Sequence, residues 1–231
     1  MYKNNKILVV IPARGGSKGI TRKNIVNIYG KPLIQYTIDA AKDAKYIDKI
    51  VVSTDDEEIA SISEQCGVEV PFLRPKHLAT DKAKTIEVLI HSVEKLKEIG
   101  EFFDYIVLLQ PTQPIRTGGI IDEAIEMIID RDEESLVSIS EVSEHPILIR
   151  TLDDTGKLHN ILKINSTLRR QEFSKYYKVN GSIYINKINN NFTVNTSLND
   201  NSLGFIMEKK YDIDIDEKID LEFFKVLLDN L

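Results

Sequence analysis

Short apolar runs alternate with longer amphipathic stretches through the first two thirds of the chain, and this alternation limits the fold more than any other feature. Lys6 to Ile11, Lys49 to Ser53, Val68 to Phe72, Tyr105 to Leu109 and Ser135 to Ser140 have strand character. Helical patterns lie between them at 33–44, 54–65, 83–99 and 118–131; the last carries Ile121, Ala124, Ile125 and Ile128 on one stripe. Pro32 stands near the first turn of the first helix, where its missing N–H costs least. Thr54, Asp55 and Asp56 offer caps for the second, and Gly67 ends it. Runs that are continuously apolar mark strands buried on both faces. Right-handed strand–helix–strand crossovers then give parallel pairing. The expected fold class is α/β, a mainly parallel sheet covered by helices on both faces. Ligands of such sheets sit beyond the carboxyl ends of the strands. That directs attention to the loops after Ile11, Ser53 and Leu109.

The pattern changes near residue 141. Residues 141–177 are irregular, basic and aromatic, and read as an extension of the same domain. Gly181 to Asn186 returns to strand character, 189–201 is an Asn-rich loop, and 220–231 closes with a helix whose stripe is Leu221, Phe224, Leu228 and Leu231. A chain of 231 residues, 42% hydrophobic, suits one core, so 1–231 is taken as a single domain. The net charge of -6 argues against a nucleic-acid partner and still permits a local basic pocket for a phosphorylated ligand. The one cysteine, Cys66, excludes a disulfide within the chain and a Cys-based zinc site, and suits a reducing compartment. The apolar run Ile7 to Ile11 is too short for a signal peptide or a membrane span. A soluble cytoplasmic protein with no membrane partner is expected.

Chemistry is suggested in four places. Pro12-Ala13-Arg14-Gly15-Gly16-Ser17-Lys18-Gly19 follows the first strand; its glycines permit a nest of backbone N–H groups, and Arg14 and Lys18 add charge suited to a triphosphate. It is neither a P-loop nor a G-x-G-x-x-G dinucleotide loop, which disfavours a nicotinamide oxidoreductase. Arg22, Lys23 and Asn24 extend the basic mouth. Leu108 to Arg116 turns hard at Pro111 and Pro114, and Gln110 is the first polar residue beyond the apolar run, able to donate to and accept from a ligand. In Asp212-Ile213-Asp214-Ile215-Asp216 the alternation is that of a strand with its carboxylates on one face, a donor set suited to Mg2+ beside phosphates. Arg169, Arg170 and Gln171 with Lys175, Lys178 and Asn180 form a basic patch fit either for an acidic substrate or for a subunit contact. The four histidines are scattered and form no zinc pattern.

Taken in order, these blocks resemble the CMP-acylneuraminate synthetases (acylneuraminate cytidylyltransferases). Ile11 to Gly19 with Lys23-Asn24 is similar to the family's opening. Ser53-Thr54-Asp55, Arg74-Pro75 with Leu78-Ala79-Thr80-Asp81, Leu108 to Arg116, Asn180 to Ile185, and Asp214-Ile215-Asp216 with Asp220-Leu221 follow. The resemblance covers nearly the whole chain. It implies a Rossmann-like nucleotidyltransferase fold and a homodimer, with 142–178 as the dimerisation extension. It implies CTP as co-substrate, Mg2+ as cofactor and a nine-carbon 2-keto sugar acid as acceptor.

Carried over by position, Arg14 and Lys18 would contact the CTP phosphates, with Gly15, Gly16, Ser17 and Asn24 shaping that site. Arg74 and Thr80 would lie around cytosine and ribose. Gln110, Arg170, Gln171 and Asn180 would meet the sugar acid, and Asp214 and Asp216 would bind Mg2+. Two departures fall where the acid should bind: no Pro stands between the Arg-Gln and Asn-Gly pairs, and Leu148 replaces the Lys expected after His145-Pro146. They leave legionaminic or pseudaminic acid open beside N-acetylneuraminate. The rival readings are a 3-deoxy-manno-octulosonate cytidylyltransferase and a catalytically silent nucleotide-binding regulator. Intact Arg14, Lys18, Asp214 and Asp216 argue against silence.

Overall fold

Ile7, Leu8, Val9, Val10 and Ile11 have no exposed surface, as a strand covered on both faces requires. The computed structural model describes residues 1–164 and 173–230. In chain order the elements are β1 (Ile7–Pro12), β2 (Asn27–Ile28), β3 (Lys31–Pro32), α1 (Leu33–Asp43), β4 (Lys49–Ser53), α2 (Glu57–Gln65), α3 (Thr85–Glu98), β5 (Tyr105–Leu109), α4 (Gly118–Asp130), β6 (Ser135–Glu141), β7 (Arg150–Leu152), β8 (Leu158–Asn160), β9 (Tyr177–Lys187), β10 (Leu203–Ile206) and α5 (Lys218–Leu228). A six-stranded sheet runs in the order β10-β6-β9-β5-β1-β4. Its pairings are parallel except at β9, which is antiparallel to both β5 and β6. The mainly parallel α/β sheet foreseen from the sequence is therefore present.

The alternate side chains of β1 sort the core into two layers. Ile7, Val9 and Ile11 pack with Ile34 and Ile38 of α1, Ile59 of α2, and Ile121 and Ile125 of α4. Leu8 and Val10 pack with Ile86, Leu89, Val93 and Leu96 of α3. A third cluster joins Ile20, Ile28, Leu33, Ile115, Ile215 and Phe224 and seats α5 against the loop after β1.

Three segments differ from expectation. Val68 to Phe72 is not a strand; only the isolated bridges Val51↔Glu69 and Thr54↔Leu73 form there. Pro71 lacks the N–H that a ladder would need. Asp212 to Asp216 is extended but pairs with no strand. Its alternation survives because Ile215 is fully buried and its N–H donates to the Thr112 carbonyl at 2.8 Å. Leu203–Ile206 is an edge strand that the sequence pattern does not announce; Gly204 weakens its strand character. The 142–178 region contains the β7–β8 hairpin, with Arg150↔Asn160, Thr151↔His159 and Leu152↔Leu158 paired.

Candidate active site

The loop that leaves β1 is held open by contacts to its backbone. Asn24 is buried and its Nδ2 donates to the Arg14 carbonyl at 3.0 Å. The Gly15 N–H donates to Asp55 Oδ1, also at 3.0 Å. Gly19 is required by close approach, because a Cβ there would collide with the Asp216 carbonyl. Arg22, at a left-handed φ of 54°, forks onto Asp56, which in turn caps α2 through the N–H groups of Glu58 and Ile59. The loop is thus anchored to the second βα turn on one side and to the acidic segment on the other.

Above it lies a cavity of about 810 Å3. Arg14, Gly16, Ser17, Lys18 and Asn24 of the loop line it, together with Arg74, Thr80 and Asp81. Gln110 and Thr112 after β5, and Asp214 and Asp216 before α5, complete the lining. Of the fourteen positions carried over from the family resemblance, ten line one cavity: Arg14, Gly16, Ser17, Lys18, Asn24, Arg74, Thr80, Gln110, Asp214 and Asp216. A second chamber of about 400 Å3 adjoins it; Gln110 and Thr85 line both, and Tyr184, Ser197 and Asn199 line the second.

Several charges in this cavity are paired. Asp81 accepts ion pairs from Arg14 at 2.8 Å and Lys18 at 2.9 Å, and Lys18 followed by Arg14 holds its carboxyl below the ordinary range. Lys18 is 79% exposed, and solvent-exposed pairs of this kind are weak, which leaves both cations open to competition by a polyanion. Lys23 donates to Asp216 Oδ1 and to the Ile215 carbonyl, both at 2.8 Å. Asp214 keeps exposed surface, yet protein mass crowding its carboxyl, followed by the charge of Asp216, raises its pKa; a hydrogen bond from Thr112 and the charge of Lys23 oppose the rise. Two carboxylates lining one cavity with a cationic loop are a fitting donor set for a divalent ion that also holds phosphate. Among the described residues no cluster of three or more His, Cys, Asp or Glu forms.

Arg74 is buried. Its Nε donates to Ser53 Oγ at 3.2 Å, with further bonds to the carbonyls of Ser53 and Leu78, and burial draws its pKa down to about 10. It remains charged near neutrality while bracing the loop that carries Thr80.

Other residues expected at the site stand elsewhere. Asp212 does not line the cavity; its side chain is nearly buried against Lys178 at 3.0 Å. Asn180 is 3% exposed and its amide is committed to Ser138 and Ser140. Gly15 does not line the cavity. Arg169, Arg170 and Gln171 fall outside the described residues. Asp81, Tyr184 and the tether made by Lys23 were assigned no role from sequence. Asp81 adjoins Thr80 in a block already recognised, so the signal was present. The partners of Lys23 lie almost two hundred residues away in sequence.

Comparison with known proteins shows the family. A family described as Cytidylyltransferase matches residues 8–228. The CMP-N,N'-diacetyllegionaminic acid synthase of Legionella pneumophila is 41% identical over 180 residues, 78% of this chain and 77% of that protein. The pseudaminic acid cytidylyltransferase of Campylobacter jejuni is 33% identical over 96% of each chain. An N-acylneuraminate cytidylyltransferase of Escherichia coli is 34% identical over 94% of this chain, which spans only 51% of that protein's length. In fold, a CMP:2-keto-3-deoxy-manno-octonic acid synthetase solved with CTP superposes with a TM-score of 0.73 at 18% identity, covering 97% of this chain and 99% of that one. The chain belongs to the cytidylyltransferase family and is a nucleotidyltransferase.

Proposed function

We propose that this cytidylyltransferase joins CTP to a nine-carbon 2-keto sugar acid, of the legionaminic type first and the pseudaminic or sialic type next, giving the CMP-sugar and pyrophosphate. The observation that carries this reading is the cavity itself, whose lining brings Arg14, Lys18, Gln110, Asp214 and Asp216 together. The names of the relatives at 33–41% identity support the choice of acid.

The chemistry follows from the charges. The anomeric hydroxyl oxygen of the acid attacks the α-phosphorus of CTP. A new P–O bond forms while the bond to the bridging oxygen breaks; pyrophosphate leaves, and the hydroxyl proton passes to water. Arg14 and Lys18 exchange Asp81 for the triphosphate and neutralise charge growing on the leaving group. Arg74 and Thr80 border the nucleoside, and Gln110 orients the acid at the junction of the two chambers. Fixing both substrates along one line removes much of the remaining barrier. Asp214 and Asp216 would hold Mg2+. When bound, that ion supplies Lewis-acid neutralisation at the phosphate oxygens.

The same reading includes a homodimer formed through residues 142–178. Leu152 and Leu158, paired across the β7–β8 hairpin, are 68% and 67% exposed, and Ile149 and Ile161 are exposed nearby. A clustered apolar surface of this kind suits burial by a second copy. No helix of the described residues is long and apolar enough to cross a membrane. The lone free Cys66 fits the reducing cytoplasm.

Pyrophosphate release tests the reaction, with CTP, ATP, GTP and UTP each offered with diacetyl-legionaminate, diacetyl-pseudaminate, N-acetylneuraminate and 3-deoxy-manno-octulosonate. Release with CTP and a nine-carbon acid is expected. Release confined to the eight-carbon acid, or none with bound CTP, overturns the reading.

A further inference from the structure

Arg116 is a buried cation without a counter-ion. Its residue is 6% exposed, and among the described residues it pairs with no carboxylate. One guanidinium nitrogen donates to the Ser182 carbonyl and, at 3.3 Å, to Ser182 Oγ. The other donates to Thr37 Oγ1 at 2.7 Å and to the Gln110 carbonyl at 2.6 Å, while Nε has no partner. Burial draws its pKa down to about 9. A charge held only by neutral acceptors is expensive to bury. The position therefore asks for an explanation beyond packing.

The acceptors supply one. Gln110 directly follows β5, Ser182 lies in the irregular stretch of β9 where the register with β6 shifts, and Thr37 belongs to α1. Ser182 is itself fixed, since its N–H donates to Asn180 Oδ1, which also accepts from Ser138 Oγ at 2.5 Å. Gly181 adopts a φ of +78°, and a Cβ there would come within 3.1 Å of Gln110 Oε1. The Gln110 side chain thus rests on the bare backbone of Gly181, and its carbonyl is held from below by Arg116. Arg116 itself lines neither chamber.

We propose that Arg116 is the positioning residue for Gln110. Its planar fork ties β5, β9 and α1 together so that the Gln110 amide is fixed at the junction of the two chambers, with a positive charge behind it that favours an acidic substrate. Lysine, a point charge, cannot reproduce the fork. The assignment rests on the sugar-acid reading of the site, and its effect belongs to the acid and not to the nucleotide.

A double-mutant cycle with Gln110→Ala tests it. Arg116→Lys is expected to raise KM for the acid about tenfold, the loss of one or two charge-assisted hydrogen bonds, with KM for CTP changed less than about twofold. In the Gln110→Ala background the same change should add less than about twofold. Losses that multiply, or that fall on CTP and acid alike, overturn the role. Thr37→Val loosens the fork while retaining Arg116 and should move the acid KM in the same direction if Arg116→Lys does not fold. Wild-type turnover is measured first; its absence defeats the substrate reading and not the positioning role. That role is then read from the side-chain amide resonance of Gln110, identified by its loss in Gln110→Ala. Arg116→Lys should shift this resonance, and an unshifted one overturns the proposal.

Discussion

Asp214 stands beside Asp216 at the cavity mouth, where crowding and like charge raise its pKa. The sign of the linkage is fixed by that direction. Below the ordinary aspartate value of 3.8 the carboxyl is protonated folded or unfolded and contributes nothing. As pH rises from there through the higher folded value, ionisation becomes unfavourable to the fold, and the penalty is complete above it. Asp214→Asn should therefore match or exceed the wild-type Tm at pH 7, with the difference vanishing below about pH 4, while turnover is lost. A Tm clearly below wild type at pH 7 would contradict the charge account. Lys18→Ala should raise KM for CTP by about tenfold or more, as for a hydrogen bond to a charged group, with little change in Tm because Lys18 is 79% exposed. Unchanged kinetics would leave the loop a structural turn. The charges of this site were legible in the chain as residue types. Their pairings were not, since Asp81 neutralises Arg14 across a separate loop and Arg116 finds Thr37 and Ser182 through the fold alone.

At the scale of elements, α5 is what seats the acidic segment. Phe224 is fully buried and meets Tyr36 edge-on with ring centroids 5.0 Å apart, while Ile215 joins the same cluster. Phe224→Ala should cost about 3–5 kcal/mol in urea unfolding, and a loss below about 1 kcal/mol would mean that α5 is not part of the cooperative core. The strands β1, β4 and β5 were readable because burial on both faces imposes an unbroken apolar run. Val68 to Phe72 misled because Pro71 denies it a ladder. Asp212 to Asp216 misled for a different reason: alternation records which side chains face inward, whereas strand pairing depends on a neighbour that this segment lacks. β10 escaped notice because a short edge strand containing Gly204 has little pattern to offer. The β9 irregularity was equally silent, although it creates the Asn180–Ser182 network behind Gln110.

For the whole molecule, the loops at the carboxyl ends of β1 and β5 converge with residues 74–88 and the segment before α5, so residues from both ends of the chain build one cavity; the loop after β4 does not line it. The β7–β8 hairpin carries its apolar pair Leu152 and Leu158 to solvent. Sedimentation should find a dimer, and Leu152→Asp combined with Leu158→Asp should give a folded monomer; a dimer that survives both changes would move the interface elsewhere. The central claim is that this one cavity brings the triphosphate to Arg14 and Lys18 and a divalent ion to Asp214 and Asp216. A crystal structure grown with CTP and Mg2+ measures it most directly. The account predicts phosphate oxygens on Arg14 and Lys18, Asp81 released from both, and Mg2+ about 2.1 Å from a carboxylate oxygen of Asp214 or Asp216. Nucleotide bound outside the cavity, or an ion held by neither aspartate, would contradict it.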